Sequence, residues 1–97
     1  MIKVEILPWL SSSMRPEATG KIALEHQLSG STLRHLAEEL SESDEDFARV
    51  VIDREEATLR YPALVAVNDQ LLEFLKGLDT ELHDGDTVTF MAAYTGG

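Results

Sequence analysis

The chain has 97 residues and 43% apolar content, which suits one globular domain with one modest core and argues against disorder. Eight Lys and Arg against 18 Asp and Glu leave a net charge of −10. Nucleic acid phosphates and anionic membrane surfaces are therefore not expected partners, whereas a basic protein surface is.

Cysteine is absent. That removes a disulfide framework, a thiolate zinc site and a Cys nucleophile, and it fits a cytoplasmic domain. The longest apolar runs, Ala63 to Val67 and Phe90 to Tyr94, have five residues. A membrane span needs about 20.

Residues 2–7 alternate and predict a strand, with Ile2, Val4 and Ile6 on one face. Leu7 shares the opposite face with Lys3 and Glu5 and is apolar out of turn. Residues 10–20, rich in Ser, Pro and Gly, predict a loop. A second strand is expected over 21–28, with Ile22, Leu24, His26 and Leu28 in phase, and the pair reads as a hairpin.

Leu33, Leu36, Ala37 and Leu40 recur at i, i+3, i+4 and i+7, the stripe of an amphipathic helix, with Ser31 or Thr32 placed to cap it. A shorter helix is expected from about Asp44 to Ile52, capped by Ser41 or Ser43, with Asp44, Glu45 and Asp46 in its first turn. Leu64 to Val67 predicts a buried central strand ending at the Asn68-Asp69 turn. Residues 70–74 read as a short strand or turn, and Asp84-Gly85-Asp86 as a tight turn. A last strand over 87–93 should point Val88 and Phe90 inward and Thr87, Thr89 and Met91 outward. The order is that of an α+β layer with a helix across a mixed sheet.

Little in the sequence suggests an active site. His26, His35 and His83 sit in separate elements and form no metal-ligand spacing, so no metal is expected. Nine acids lie between Glu38 and Glu56, against Arg49 and Arg54, without the Asp-x-Asp-x-Asp-Gly loop of a calcium site. A solvated helix face is the simplest account of them, and a docking surface the alternative. No Gly-x-Ser-x-Gly elbow and no phosphate-cradling Gly-rich loop occurs.

The Gly96-Gly97 end is the informative feature. A terminal carboxylate on an arm without side chains can thread a narrow channel beside ATP and be activated there as a mixed anhydride with a nucleotide phosphate. Residues 82–97, Leu82-His83-Asp84-Gly85-Asp86-Thr87-Val88 followed by an apolar strand and Gly96-Gly97, resemble the C-terminal signature of the ubiquitin-like sulfur carriers. That family includes the small subunit of molybdopterin synthase and the thiamine sulfur carrier. Met1-Ile2-Lys3-Val4, Thr32-Leu33 and Val67-Asn68 are similar to further family landmarks. Phe74 to Thr80 resembles its longer branch, which includes a cysteine-biosynthesis carrier and archaeal small modifiers. Ala92-Ala93 stands where members often carry proline, Tyr94 where a small aliphatic is common, and residues 42–58 are longer and more acidic than in the shortest members.

The resemblance implies a β-grasp, ubiquitin-like fold: four to five strands in a mixed sheet on one main helix, plus a short second helix. The domain would span 1–91, with 92–97 a flexible tail. Gly97 would be the reacting residue and Gly96 its means of access. Leu7, Leu71 and Met91, with Tyr94 and Thr95, would meet the partner. The chain itself would bind no cofactor. ATP and Mg would be used by a ubiquitin-activating-like adenylyltransferase, and sulfur would pass to a biosynthetic enzyme, the large subunit of molybdopterin synthase or an analogue. Two alternatives stand beside the carrier: a covalent protein modifier, and a non-covalent interaction domain with an inert tail.

Overall fold

The structure is a computed structural model that describes residues 1–15, 17, 20–27, 31–53, 58–59, 63–71 and 77–92. In chain order it forms β1 (Ile2–Ile6), α1 (Pro8–Met14), β2 (Ile22–His26), α2 (Leu33–Ser43), α3 (Glu45–Val50), β3 (Ile52–Asp53), β4 (Thr58–Leu59), β5 (Ala63–Val67), β6 (Gln70–Leu71), a 3₁₀ turn (Gly77–Asp79) and β7 (Thr87–Ala92). The main sheet has the order β2-β1-β7-β5-β6, and β3 pairs with β4 separately. β1 and β7 are parallel, and the other neighbours run antiparallel. This is the expected α+β architecture, a five-stranded mixed sheet with α2 as its longest helix.

One face of the sheet carries the core. Ile2, Val4, Ile6, Val65, Val67, Val88 and Phe90 are buried there, with Leu33, Leu36, Ala37 and Leu40 of α2 in the same cluster. Each fully buried aliphatic of this kind contributes about 1.5–3 kcal/mol by leaving water. Phe47 of α3 meets Phe90 edge to face, ring centroids 5.1 Å apart. Thr32 caps α2 as expected, accepting from the His35 N–H.

Several expectations are corrected. Residues 8–14 are helical, not loop. Pro8 opens α1 at a position where its missing N–H costs nothing, and Leu10 and Met14, four apart, are buried. The buried Ser11 hydroxyl lies 2.7 Å from the Gly20 carbonyl and 3.0 Å from that of Pro8, which share its one proton, so it is satisfied. Leu7 is the N-cap residue of α1 and not a strand residue. α3 is capped by Asp44, whose carboxylate accepts from Asp46 and Phe47, while Ser41 and Ser43 donate back to carbonyls within α2. Ile52 belongs to β3, part of a small hairpin the sequence did not announce. β7, not the strand at 63–67, is the middle strand. β7 reaches Ala92, which pairs with Ala63, within the strand expected over 87–93. Leu28 and residues 72–74 lie outside the described residues.

Candidate functional site

The site is the end of β7, at Met91 and Ala92, the last described residues before Gly96-Gly97. β7 forms because Thr87-Val-Thr-Phe-Met-Ala alternates between a core face and an outer face and lies between two partners. Its start is fixed by polar groups. Gly85 adopts φ +93 in the preceding turn, a value that favours glycine. The Asp86 carboxylate accepts from the His83 N–H at 2.8 Å and from the Asn68 amide at 2.9 Å. The Asn68 side-chain carbonyl accepts from the Thr87 N–H at 3.0 Å, and the Asp86 carbonyl accepts from the Lys3 N–H. Partial burial pushes the Asp86 carboxyl up. The Asn68 and His83 hydrogen bonds and the His83 charge outweigh it and hold the group below its ordinary value. The Met1 amine pairs with Asp84 and lowers that carboxyl too, by hydrogen bonding and by charge.

The outer face divides. Over β2 and β1 it carries Ala23, Glu25, Lys3 and Glu5, register neighbours of one another. Toward the end of β7 it turns apolar. Met91 lies opposite Leu64, Thr89 opposite Ala66, and Ala66 opposite Leu71. Leu7 donates its N–H to the Phe90 carbonyl at 2.9 Å, and the parallel register carried one residue on puts it beside Met91. Leu7, Leu64, Leu71 and Met91 are all half-buried.

Leu7 and Met91 stand side by side at the end of this face, whereas Leu71, opposite Ala66 and so level with Thr89, lies on the same face two residues back along the strands. Leu71 lies two strands from Met91, roughly 10 Å across the sheet. Leu64 joins them, hidden in the sequence because the run Ala63 to Val67 reads as apolar on both faces. Trp9, in the first turn of α1, which packs against β7, is 47% exposed. The pair Leu10 and Met14 was the signal that could have placed it on a helix. Tyr94, Thr95, Gly96 and Gly97 lie outside the described residues.

The histidines have separate surroundings. His26 meets Glu39 at 2.6 Å, His35 meets Thr32 at 3.1 Å, and His83 sits in the turn before β7. Among the described residues no cluster of three metal-ligating side chains occurs. A cleft of about 250 Å³ beside α2, lined by Arg34, Glu38, Ser41, Glu42, Ile52 and Leu78, contains no nucleophile paired with a base. Ser41 there is committed to the Ala37 carbonyl. No helix among the described residues is long and apolar enough to cross a membrane.

The ThiS family model matches residues 16–97. No curated protein matches significantly. Among solved structures, a chain of the BexX/CysO complex of Amycolatopsis orientalis is 24% identical, with complete coverage of both chains and a TM-score of 0.73. CysO of Mycobacterium tuberculosis is 23% identical over 97% of this chain and 100% of its own, with a TM-score of 0.70. Urm1 of Trypanosoma brucei is 28% identical over 99% of this chain and 94% of its own, also at 0.70. The first two likenesses carry the fold.

Proposed function

The chain belongs to the ThiS family, and from that premise we propose that it is a sulfur carrier whose working group is the carboxylate of Gly97. The observation that carries the proposal is the family match, which runs through the Gly96-Gly97 end. A ubiquitin-activating-type adenylyltransferase uses ATP with Mg to convert that carboxylate to an acyl-adenylate, releasing pyrophosphate. Hydrosulfide or an equivalent sulfur donor then attacks the carbonyl carbon and AMP leaves, giving a thiocarboxylate. The carrier docks on a cytoplasmic biosynthetic enzyme, the large subunit of molybdopterin synthase or an analogue, and gives up the sulfur. No side chain of the carrier acts as acid or base in this scheme.

The apolar end of the outer face supports the reading. Leu7, Leu64 and Met91 lie at the end of β7, with Leu71 on the same face two residues back, so a partner that receives the residues after Ala92 would meet them. A likeness to the small archaeal modifier protein 1 of Methanosarcina acetivorans, 21% identical with a TM-score of 0.71, favours a second reading, in which the same activated Gly97 is joined to a lysine amine of a target protein. Intact mass after incubation with cell extract, ATP and a sulfur source separates the two. A carrier exchanges one oxygen for sulfur, and a modifier appears as high-mass adducts. A chain that shows neither change, and supports no ATP–pyrophosphate exchange, is not activated at all.

A further inference from the structure

Trp9 is the chain's one tryptophan, and nearly half of it faces solvent. We infer that it is an anchor by which the adenylating enzyme seats the carrier so that the tail enters the nucleotide site. The inference rests on the reading of Gly97 as the adenylated residue.

The geometry begins with register. β1 and β7 run parallel, with Ile6 opposite Phe90. The chain then turns at Leu7 into α1, so the first turn of α1 is level with the last residues of β7. Trp9 follows Leu7 by two residues, about 3 Å along the helix axis. The helix that carries it is well fixed. Leu10, Ser11 and Met14 are buried, Ser11 is tied to Pro8 and Gly20, and α1 packs against both β7 and α3. The opposite side of α1 carries Trp9, Ser12 and Ser13 to the exterior.

The length of the remaining chain then limits the enzyme. Residues 93–97 separate Ala92 from the terminal carboxylate. Five extended residues span at most about 17 Å. An enzyme that holds the carboxylate beside ATP must therefore approach the end of β7, and Trp9 is in the first turn of the helix packed against that strand. An indole offers a large rigid apolar area at low entropic cost, and tryptophan is enriched among the residues that dominate binding energy. The occupant is accordingly an adenylating enzyme with an apolar recess next to the mouth of its tail channel.

A single tryptophan makes the test direct. The full chain is labelled with 5-fluorotryptophan, which gives one fluorine resonance, and is titrated with the adenylyltransferase encoded in the same genome. The resonance should shift or broaden to completion at one equivalent of enzyme. In ATP–pyrophosphate exchange, Trp9→Ala should raise KM for the carrier about tenfold while kcat changes less than about twofold, and Trp9→Phe should recover most of the loss. Thermal melts of both variants check the fold, and the fluorine titration needs no variant. If the wild type supports exchange but the resonance stays put and Trp9→Ala keeps its KM, the anchor is wrong and the carrier reading stands. If the wild type supports no exchange, the carrier reading itself has failed. A resonance that moves only with the sulfur-accepting enzyme places Trp9 at a later docking step and overturns the inference.

Discussion

At its start, β7 is held by polar groups from three separate segments; at its end, it is flanked by half-buried aliphatics and an exposed indole. Asp86, Asn68, His83, Lys3 and the Met1 carbonyl, which accepts from the Gly85 N–H, close a network of directional bonds around the first residue of the strand. Leu7 and Leu64 flank Met91 near the other end, Leu71 follows on the same face, and Trp9 is in the first turn of the helix packed against the strand. The contrast teaches a division of labour. The hydrogen-bonded turn before β7 adds to the buried face of the strand in holding its register. Half-buried and exposed apolar surface is what another protein can cover.

The largest expected effect tests the end. Deleting Gly97 or changing Gly96→Ala should lower adenylation at least about 100-fold in ATP–pyrophosphate exchange, with no measurable change in melting temperature. Undiminished exchange by the truncated chain would sink the assignment of Gly97. Next comes the surface beside it. Met91→Lys or Leu71→Lys should weaken binding to a cognate partner about tenfold or more, because a charge must then be desolvated at the interface. Titration calorimetry and melts on the same samples check this, and a collapsed melting temperature would move these residues into the core.

The start of β7 should respond in the opposite way, losing stability and keeping surface. Asp86→Ala removes two accepted hydrogen bonds and should cost about 1–3 kcal/mol in denaturant titration, with little change in partner affinity of the folded fraction. Its carboxyl ionises below the unfolded value. The contribution is therefore present in full above about pH 4 and is lost as pH falls through the lower folded value. The stability gap between wild type and Asp86→Ala should narrow on acidification over that window, and a constant gap would remove the charge from the account. Gly85→Ala meets no atom within 4 Å of its new Cβ, so only the backbone at φ +93 resists it. A loss of about 1–2 kcal/mol is expected.

The smallest effect concerns charge on the far side of the molecule. The acids of α2 and α3 lie on the helix layer, away from the outer face. Raising salt from 0.1 to 1 M shortens the Debye length from about 10 to about 3 Å and should slow association with a partner. Glu38, Glu42 and Glu45, all exposed, are suitable for replacement by Gln, whereas Glu39 is engaged by His26. Stopped-flow association that ignores both salt and these changes would leave the acids as a solvated face.

The sequence by itself determined the β1, β2 and β7 strands, the apolar stripe of α2, the turns at Asn68 and Gly85, and the family through the order of landmarks leading to Gly96-Gly97. These are local patterns or motifs, and periodicity or a single special backbone angle is enough to write them. Tertiary structure alone decided the rest. α1 hides behind three serines because two buried residues four apart suffice once another element covers them. Asp44 outcompetes Ser41 and Ser43 as a cap because those hydroxyls bond back into α2. Leu7, Leu64, Leu71 and Met91 share one face only because the sheet order β1-β7-β5-β6 sets three separated segments side by side. A sequence records which residues are apolar, but which of them share a face is settled by strand order and register, and those follow from the cooperative burial of one core.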